Sequence, residues 1–174
     1  MTRTVRQATL PDVDALVRLR AEMFAAMGVP ETGGEWRAHA RRWFADRIDD
    51  ADYRLVVVEV DGEVVSCAVG AIRDAAPSPS VPEGRDVLIS NVCTAPAHRG
   101  HGHGQAAFDA VMAWARRTGV GRAELMATEL GRGMYVSAGF REERCPAMRA
   151  ALSGPGSRGE GSDGRSARVA TSMG

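Results

Sequence analysis

The 174-residue sequence predicts one α/β domain with a short tail. Three observations carry that reading. Two stretches with helical periodicity precede two β-rich runs joined by Asp61-Gly62. A third β-rich run, "VLISNVCT", leads through a glycine-rich turn into another helical stretch. After Leu152 the text becomes "SGPGSRGEGSDGRSARVATSMG", too poor in apolar residues to offset the entropy of ordering. The expected division is therefore a folded domain over 1–152 and a disordered tail over 153–174.

The elements follow in order. "RTVRQA" (Arg3–Ala8) is a short strand. Thr9 is the expected N-cap of a first helix, with Pro11 in its first turn and Asp12 closing a capping box. Val13, Leu16, Val17, Met23, Phe24 and Met27 share one face, and Gly28 ends the element. A second helix over Glu35–Ile48 puts Trp36, Ala40, Trp43, Phe44 and Ile48 together. Asp-Gly between "YRLVVVEV" and "EVVSCAVGAI" is a hairpin turn. Arg73–Asp86, with three prolines, is a loop, and Val87–Thr94 is a buried strand. A helix from Gly102 buries Ala107, Phe108, Val111, Trp114 and Ala115. Arg122–Thr128 is a strand, Gly131–Ala138 a short helix closed by Gly139, and "FREERCPAMRAAL" one or two final strands.

Composition narrows the function. Lys+Arg and Asp+Glu are 22 each, and no basic stripe stands out, so nucleic acid is not an expected partner. All basic side chains are arginine. Cys67, Cys93 and Cys145 are widely spaced and odd in number, which fits neither a disulfide framework nor a zinc knuckle. No window reaches the roughly 20 apolar residues of a membrane span, and no signal peptide is evident, so the cytoplasm is the expected compartment.

The stretch "HRGHGHG" (98–104) holds three of the four histidines. Its position between a strand and a helix is that of an anion-binding loop. The first helical turn has unpaired N–H groups and a partial positive charge. Glycines let a phosphate approach the backbone, and Arg99 adds a forked cation. A phosphate-binding G-x-x-x-x-G-K-[ST] loop is excluded because the chain has no lysine, and the G-x-G-x-x-G spacing is absent at Gly100, Gly102 and Gly104. His98, His101 and His103 make a poor metal scaffold, with no acidic cluster beside them, so no metal is expected. His39 is expected on the surface.

Arg99-x-x-Gly102-x-Gly104 resembles the (Q/R)-x-x-G-x-(G/A) motif of the GNAT superfamily, the GCN5-related N-acetyltransferases. "ISNVCTAPAHRG" is similar to the family's fourth strand and its approach to the loop, and "MYVSAGF" to its Y-x-x-x-G-F segment. The resemblance covers residues 3–152. It implies a mixed, mainly antiparallel sheet of six to seven strands flanked by about four helices, with a β-bulge in the fourth strand near Asn91–Val92. It implies acetyl-CoA as co-substrate and transfer to a primary amine in a ternary complex, and many relatives are homodimers.

Carried over by position, the resemblance places the pyrophosphate at Arg99, Gly100, His101, Gly102, His103 and Gly104. The pantetheine arm falls along Val92, Cys93 and Thr94. The Val92 amide becomes the oxyanion donor, Thr128 a cofactor contact and Tyr135 the acid that protonates the leaving thiolate. His103 departs from the family, where an apolar residue is common. Ser90, with Asn91 beside it, stands where many relatives have a basic glutamate. Glu129 is the first alternative base, ahead of Glu22 and Glu31. Glu22, Glu31 and Trp36 are expected to face the acceptor, a small-molecule amine. A protein N-terminus or lysine as acceptor, and a non-catalytic acetyl-CoA-binding module, stay open. Cys93, on a buried strand without a histidine partner, is not expected to carry the acyl group.

Overall fold

The computed structural model describes residues 2–150 and 152, except 32 and 146. The expected tail over 153–174 lies outside the described residues. The chain divides into two compact units, Met1–Gly139 and Phe140–Gly174. The first contains all the regular structure described below.

Its sheet has five strands in the order β1-β2-β3-β4-β5: Arg3–Gln7, Tyr53–Val60, Glu63–Asp74, Arg85–Thr94 and Ala123–Leu125. The first four pair antiparallel, while β4 and β5 pair parallel. The helices are α1 (Val13–Ala26), α2 (Glu35–Ala45), α3 (His103–Arg117) and α4 (Glu129–Ser137). This is the α/β architecture expected, a mixed and mainly antiparallel sheet with four helices.

Local chemistry explains the junctions. The Thr9 amide donates to the Asp12 carboxylate at 2.7 Å, as expected of a capping box, although the first turn is a 3-10 turn over Leu10–Asp12. The Arg6 guanidinium holds the same carboxylate at 2.7 and 2.9 Å, fixing α1 against β1. At the β2–β3 turn both Asp61 (φ 48°) and Gly62 (φ 89°) take positive φ, the backbone that a two-residue hairpin with matching twist requires.

Side chains on β3 alternate between the two faces of the sheet. Cys67 and Val69 join a core with Leu16 and Leu19 of α1, Phe44 of α2, and Leu55 and Val57 of β2. Gly70 faces the other way. A Cβ there would lie 2.7 Å from Trp114 and 2.8 Å from Val111, so α3 packs closely against that face. Helices α1 and α2 thus cover one face and α3 the other.

Four expectations are corrected. Among the described residues the sheet has five strands, not six to seven. The described residues of 140–150 form no strand. Arg141, Glu142, Glu143 and Arg144 interrupt any period-two apolar pattern there. Strand β5 is three residues rather than seven, because its partner diverges beyond Ile89. Helix α2 stops at Ala45, although Ile48 remains buried. Finally, α4 starts at Glu129 rather than Gly131, with the Thr128 hydroxyl accepting the Gly131 N–H.

Candidate acetyl-transfer site

Strand β4 changes character at its middle. Val87–Ile89 pair with β3 on one edge and with Ala123–Leu125 of β5 on the other. From Ser90 onward only the β3 pairing continues. Between the pairs Val69↔Ser90 and Cys67↔Cys93, β3 advances two residues and β4 three, which is a β-bulge holding Asn91 and Val92. The bulge expected at these positions is present. Asn91 sits at φ 55°, a left-handed conformation that asparagine tolerates better than most side chains. The buried Asn91 side chain accepts a hydrogen bond from Arg20 Nη1 at 2.7 Å and approaches Cys67 Sγ at 3.6 Å. Cys93 Sγ donates to the Leu19 carbonyl at 3.1 Å. These contacts fasten α1 to the splayed half of β4.

Beyond Thr94 the chain makes a 3-10 turn over Pro96–His98 and then a loop into α3. Gly100 (φ 79°) and Gly102 (φ 74°) both take left-handed backbone, and the space beside each Cα is open. The first N–H groups of the 15-residue α3 therefore follow two open glycines, and a Cβ on Gly104 would meet the Thr94 hydroxyl at 3.1 Å. That is a fit for a phosphate group. Arg99 folds back so that its Nε donates to the Thr94 carbonyl at 3.2 Å. His101 Nδ1 lies 2.9 Å from the Arg99 carbonyl oxygen.

His103 is 3% exposed, and neither ring nitrogen has a hydrogen-bond partner among the described residues. Its ring stacks on His101 at 5.9 Å and lies 6.2 Å from His98. Burial lowers its pKa, and the charge of Arg3 and the neighbouring imidazoles lowers it further. The imidazole is thus packing material at the start of α3, and its place in the loop is available through its backbone alone. His39 is exposed, as expected. Among the described residues, no group of three or more His, Cys, Asp or Glu is arranged to hold a metal ion.

Tyr135 of α4 is 9% exposed and meets Phe108 of α3 edge-on at 5.3 Å. Burial raises its pKa, so the phenol keeps its proton at neutral pH. Gly131 makes room for the ring, since a Cβ there would lie 2.9 Å from Cε2 and 3.4 Å from the hydroxyl. The thiol of Cys93 is 6% exposed, and burial, with the Glu22 charge adding to it, pushes its pKa up to about 11. It stays a thiol at neutral pH and lacks the thiolate character of a nucleophile.

The carboxylates differ in placement. Glu129 is exposed in the first turn of α4. Glu31 is held by Arg37 at 2.6 and 3.1 Å, which lowers its pKa. Glu22 is the distinctive one. Its Oε1 lies 3.3 Å from Arg18 Nη1, whereas Oε2 is buried without a partner among the described residues. Trp36 meets Phe24 edge-on at 5.8 Å, and both line a cavity of about 310 Å³ with Ala21, Ala25, Val29, Pro30 and Glu31. Periodicity could not single out Arg20 or the orphaned Glu22 oxygen. Both become visible only when α1 lies on the bulge.

Residues 15–140 match the acetyltransferase (GNAT) family. No curated protein matches the chain. Among solved structures, a predicted acetyltransferase from Clostridium acetobutylicum, crystallised with acetyl-CoA, superimposes with TM-score 0.77 at 23% identity, covering 87% of this chain and 97% of that one. A GCN5-related N-acetyltransferase from Ralstonia eutropha JMP134 gives 0.73 at 25% identity, covering 86% and 99%. Glucosamine-6-phosphate N-acetyltransferase from Arabidopsis thaliana gives 0.68 at 16% identity, again covering 86% and 99%. No helix among the described residues is long and apolar enough to cross a membrane. With a family match over most of its length and the bulged fourth strand leading into the glycine loop, this chain belongs to the GNAT acetyltransferase family.

Proposed function

We propose that the protein moves an acetyl group from acetyl-CoA to the primary amine of a small molecule, by direct attack with both bound. The observation that carries this reading is the bulge at Asn91–Val92, which ends the β4–β5 pairing beside a helix N-terminus open to phosphate. When bound, acetyl-CoA supplies the acyl thioester and its thiol leaving group.

The chain supplies the rest. The α3 N-terminus, Gly100, Gly102 and Gly104 hold the pyrophosphate through backbone N–H groups, with Arg99 and His101 at the rim. Backbone groups of Val92, Cys93 and Thr94 bind the amide-bearing arm in the manner of an added strand. Thr128, although it caps α4, keeps acceptor capacity toward the cofactor. The amine arrives as an ammonium, with an ordinary pKa near 10. Glu22 takes its proton at Oε2, the carboxylate oxygen left without a partner. We place this role on Glu22 ahead of the exposed Glu129. The nitrogen then forms its bond to the acyl carbon while the Val92 N–H donates to the oxygen that gains charge. As the carbon–sulfur bond breaks, Tyr135 gives its phenolic proton to sulfur, the nitrogen loses its surplus proton to solvent to become the amide, and solvent returns a proton to the Tyr135 phenolate.

An acetyl-CoA-dependent screen of small amines and peptides, read by thiol release, tests the reading. Tyr135→Phe is expected to lower kcat by about 100-fold or more while leaving acetyl-CoA affinity within about twofold. Peptide-only turnover would assign the acceptor to a protein amine. Acetyl-CoA binding without any turnover would favour a regulatory module instead.

A further inference from the structure

Resting on the reading of amine acetylation above, we propose that the acceptor is an α-amino acid with an apolar side chain. Two features of α1 and its junction with α2 lead there. The cavity between them, about 310 Å³, is walled by Ala21, Phe24, Ala25, Val29, Pro30 and Trp36. That is the size and polarity of a site for a small apolar group. Its single carboxylate, Glu31, is neutralised by the two bonds from Arg37, so the cavity offers little to a sugar or a polyamine.

The second feature is Arg20. Its guanidinium lies 4.8 Å over the Phe24 ring, on a cavity wall, and donates to Asn91 in the β4 bulge. One side chain therefore contacts both an aromatic residue of the cavity wall and the strand irregularity at which transfer is placed. No carboxylate lies within ion-pair distance of it among the described residues, although eleven other arginine pairings among them involve Asp or Glu, such as Arg73 with Asp86 at 2.7 Å. Burial of Arg20 lowers its pKa, the sign of a cation short of solvent and of counter-charge. A guanidinium presents five donors, and Asn91 takes one.

An anion on the acceptor answers that charge. A carboxylate on Arg20 places the α-carbon beside both the bulge and the cavity. The side chain then enters between Phe24 and Trp36, and the α-amine lies on the β4 side, where Glu22 Oε2 receives its proton. Aromatic or branched aliphatic side chains match the cavity, while glycine leaves it empty and aspartate adds a second charge.

The test uses the full chain, acetyl-CoA and three sets of acceptors: L-leucine and L-phenylalanine, their decarboxylated counterparts isoamylamine and phenethylamine, and glycine with L-aspartate. The amino acids with apolar side chains are expected to show kcat/KM about tenfold or more above both other sets. Arg20→Met is expected to bring the ratio of kcat/KM for L-leucine to that for isoamylamine down from about tenfold to about one, whatever it does to the two values together. Equal use of L-leucine and isoamylamine, or of L-leucine and glycine, in the wild type overturns the inference and leaves amine acetylation standing. L-leucine binding is followed in parallel by tryptophan fluorescence, with Trp36→Phe as the control for the cavity. Binding without thiol release from any amine keeps the amino-acid site and overturns the transfer reading. Neither binding nor release overturns both.

Discussion

From Val87 to Ile89, strand β4 has a partner on each edge; from Ser90 to Thr94, β3 is its only partner among the described strands. The two halves are stabilised by different means. The closed half carries the buried side chains of Val87 and Ile89 and begins at Asp86, a carboxylate 3% exposed. Burial by itself would raise the pKa of Asp86, yet Arg73 at 2.7 Å and Arg122 at 3.1 Å hold it below the ordinary value. Arg73 also reaches Glu124 of β5 at 2.6 Å, so charge spans β3, β4 and β5. Among the described residues the open half has no such clamp. Asn91, in a left-handed conformation, is held by Arg20, and Cys93 is tied to the α1 backbone. One strand thus separates work along its length: apolar packing and ion pairs close the first half, and a strained bulge exposes backbone in the second.

Changes on the two halves should separate stability from activity. The largest effect expected is from Ile89→Ala, at a side chain 2% exposed in the closed half. Truncating such a residue costs about 3 kcal/mol, visible as a lower midpoint in urea, with kcat of the folded enzyme nearly unchanged. Next comes Asn91→Val in the open half. A β-branched residue at φ 55° is strained by about 1–3 kcal/mol. The bulge should relax toward regular pairing, and kcat should fall more than stability. Asn91→Gly, which tolerates that backbone, is expected to keep most of the activity.

Gly102→Ala comes third. Its Cβ would meet nothing within 4 Å, so the cost is one of backbone alone, about 1–2 kcal/mol at φ 74°. The expected result is a KM for acetyl-CoA raised by about tenfold at nearly constant kcat. The smallest effect concerns pH. His103 has its pKa lowered in the folded state, so below the ordinary value of 6.5 the unfolded chain binds protons that the native one refuses. Its contribution is intact above pH 6.5 and is lost as the pH falls toward the lowered folded value. His103→Leu should flatten that part of the stability profile, measured by denaturant unfolding between about pH 7 and 5.

The sequence shows some of this division and hides the rest. Asp61-Gly62 announced its hairpin because few other pairs accept two positive φ angles in succession. The turn into α3 was legible for the same reason, through Gly100 and Gly102. The bulge came from family resemblance, since nothing local in "ISNVCT" distinguishes a bulged strand from a regular one. Strand β5 read as longer than it is because "RAELMAT" has strand-like residues throughout, while its pairing ends where β4 turns away. Thr128 illustrates the opposite case. It read as a strand end, and Gly131 and Gly133 obscured the N-cap that it forms. The functional groups on α1 were the least legible. Leu16, Val17 and Leu19 mark its buried face, but the polar residues between them carry no period. Arg20 and Glu22 gain their distinction from what lies opposite, the bulge for one and a partnerless burial for the other.

Amide hydrogen exchange of the full chain, with and without acetyl-CoA, tests the division of β4 most directly. Slowed exchange is expected at Val92–Thr94 and in the first turn of α3, with Val87–Ile89 unchanged because β3 and β5 already protect that half. Slowing confined to the closed half, or absent from both Val92–Thr94 and the start of α3, would contradict it.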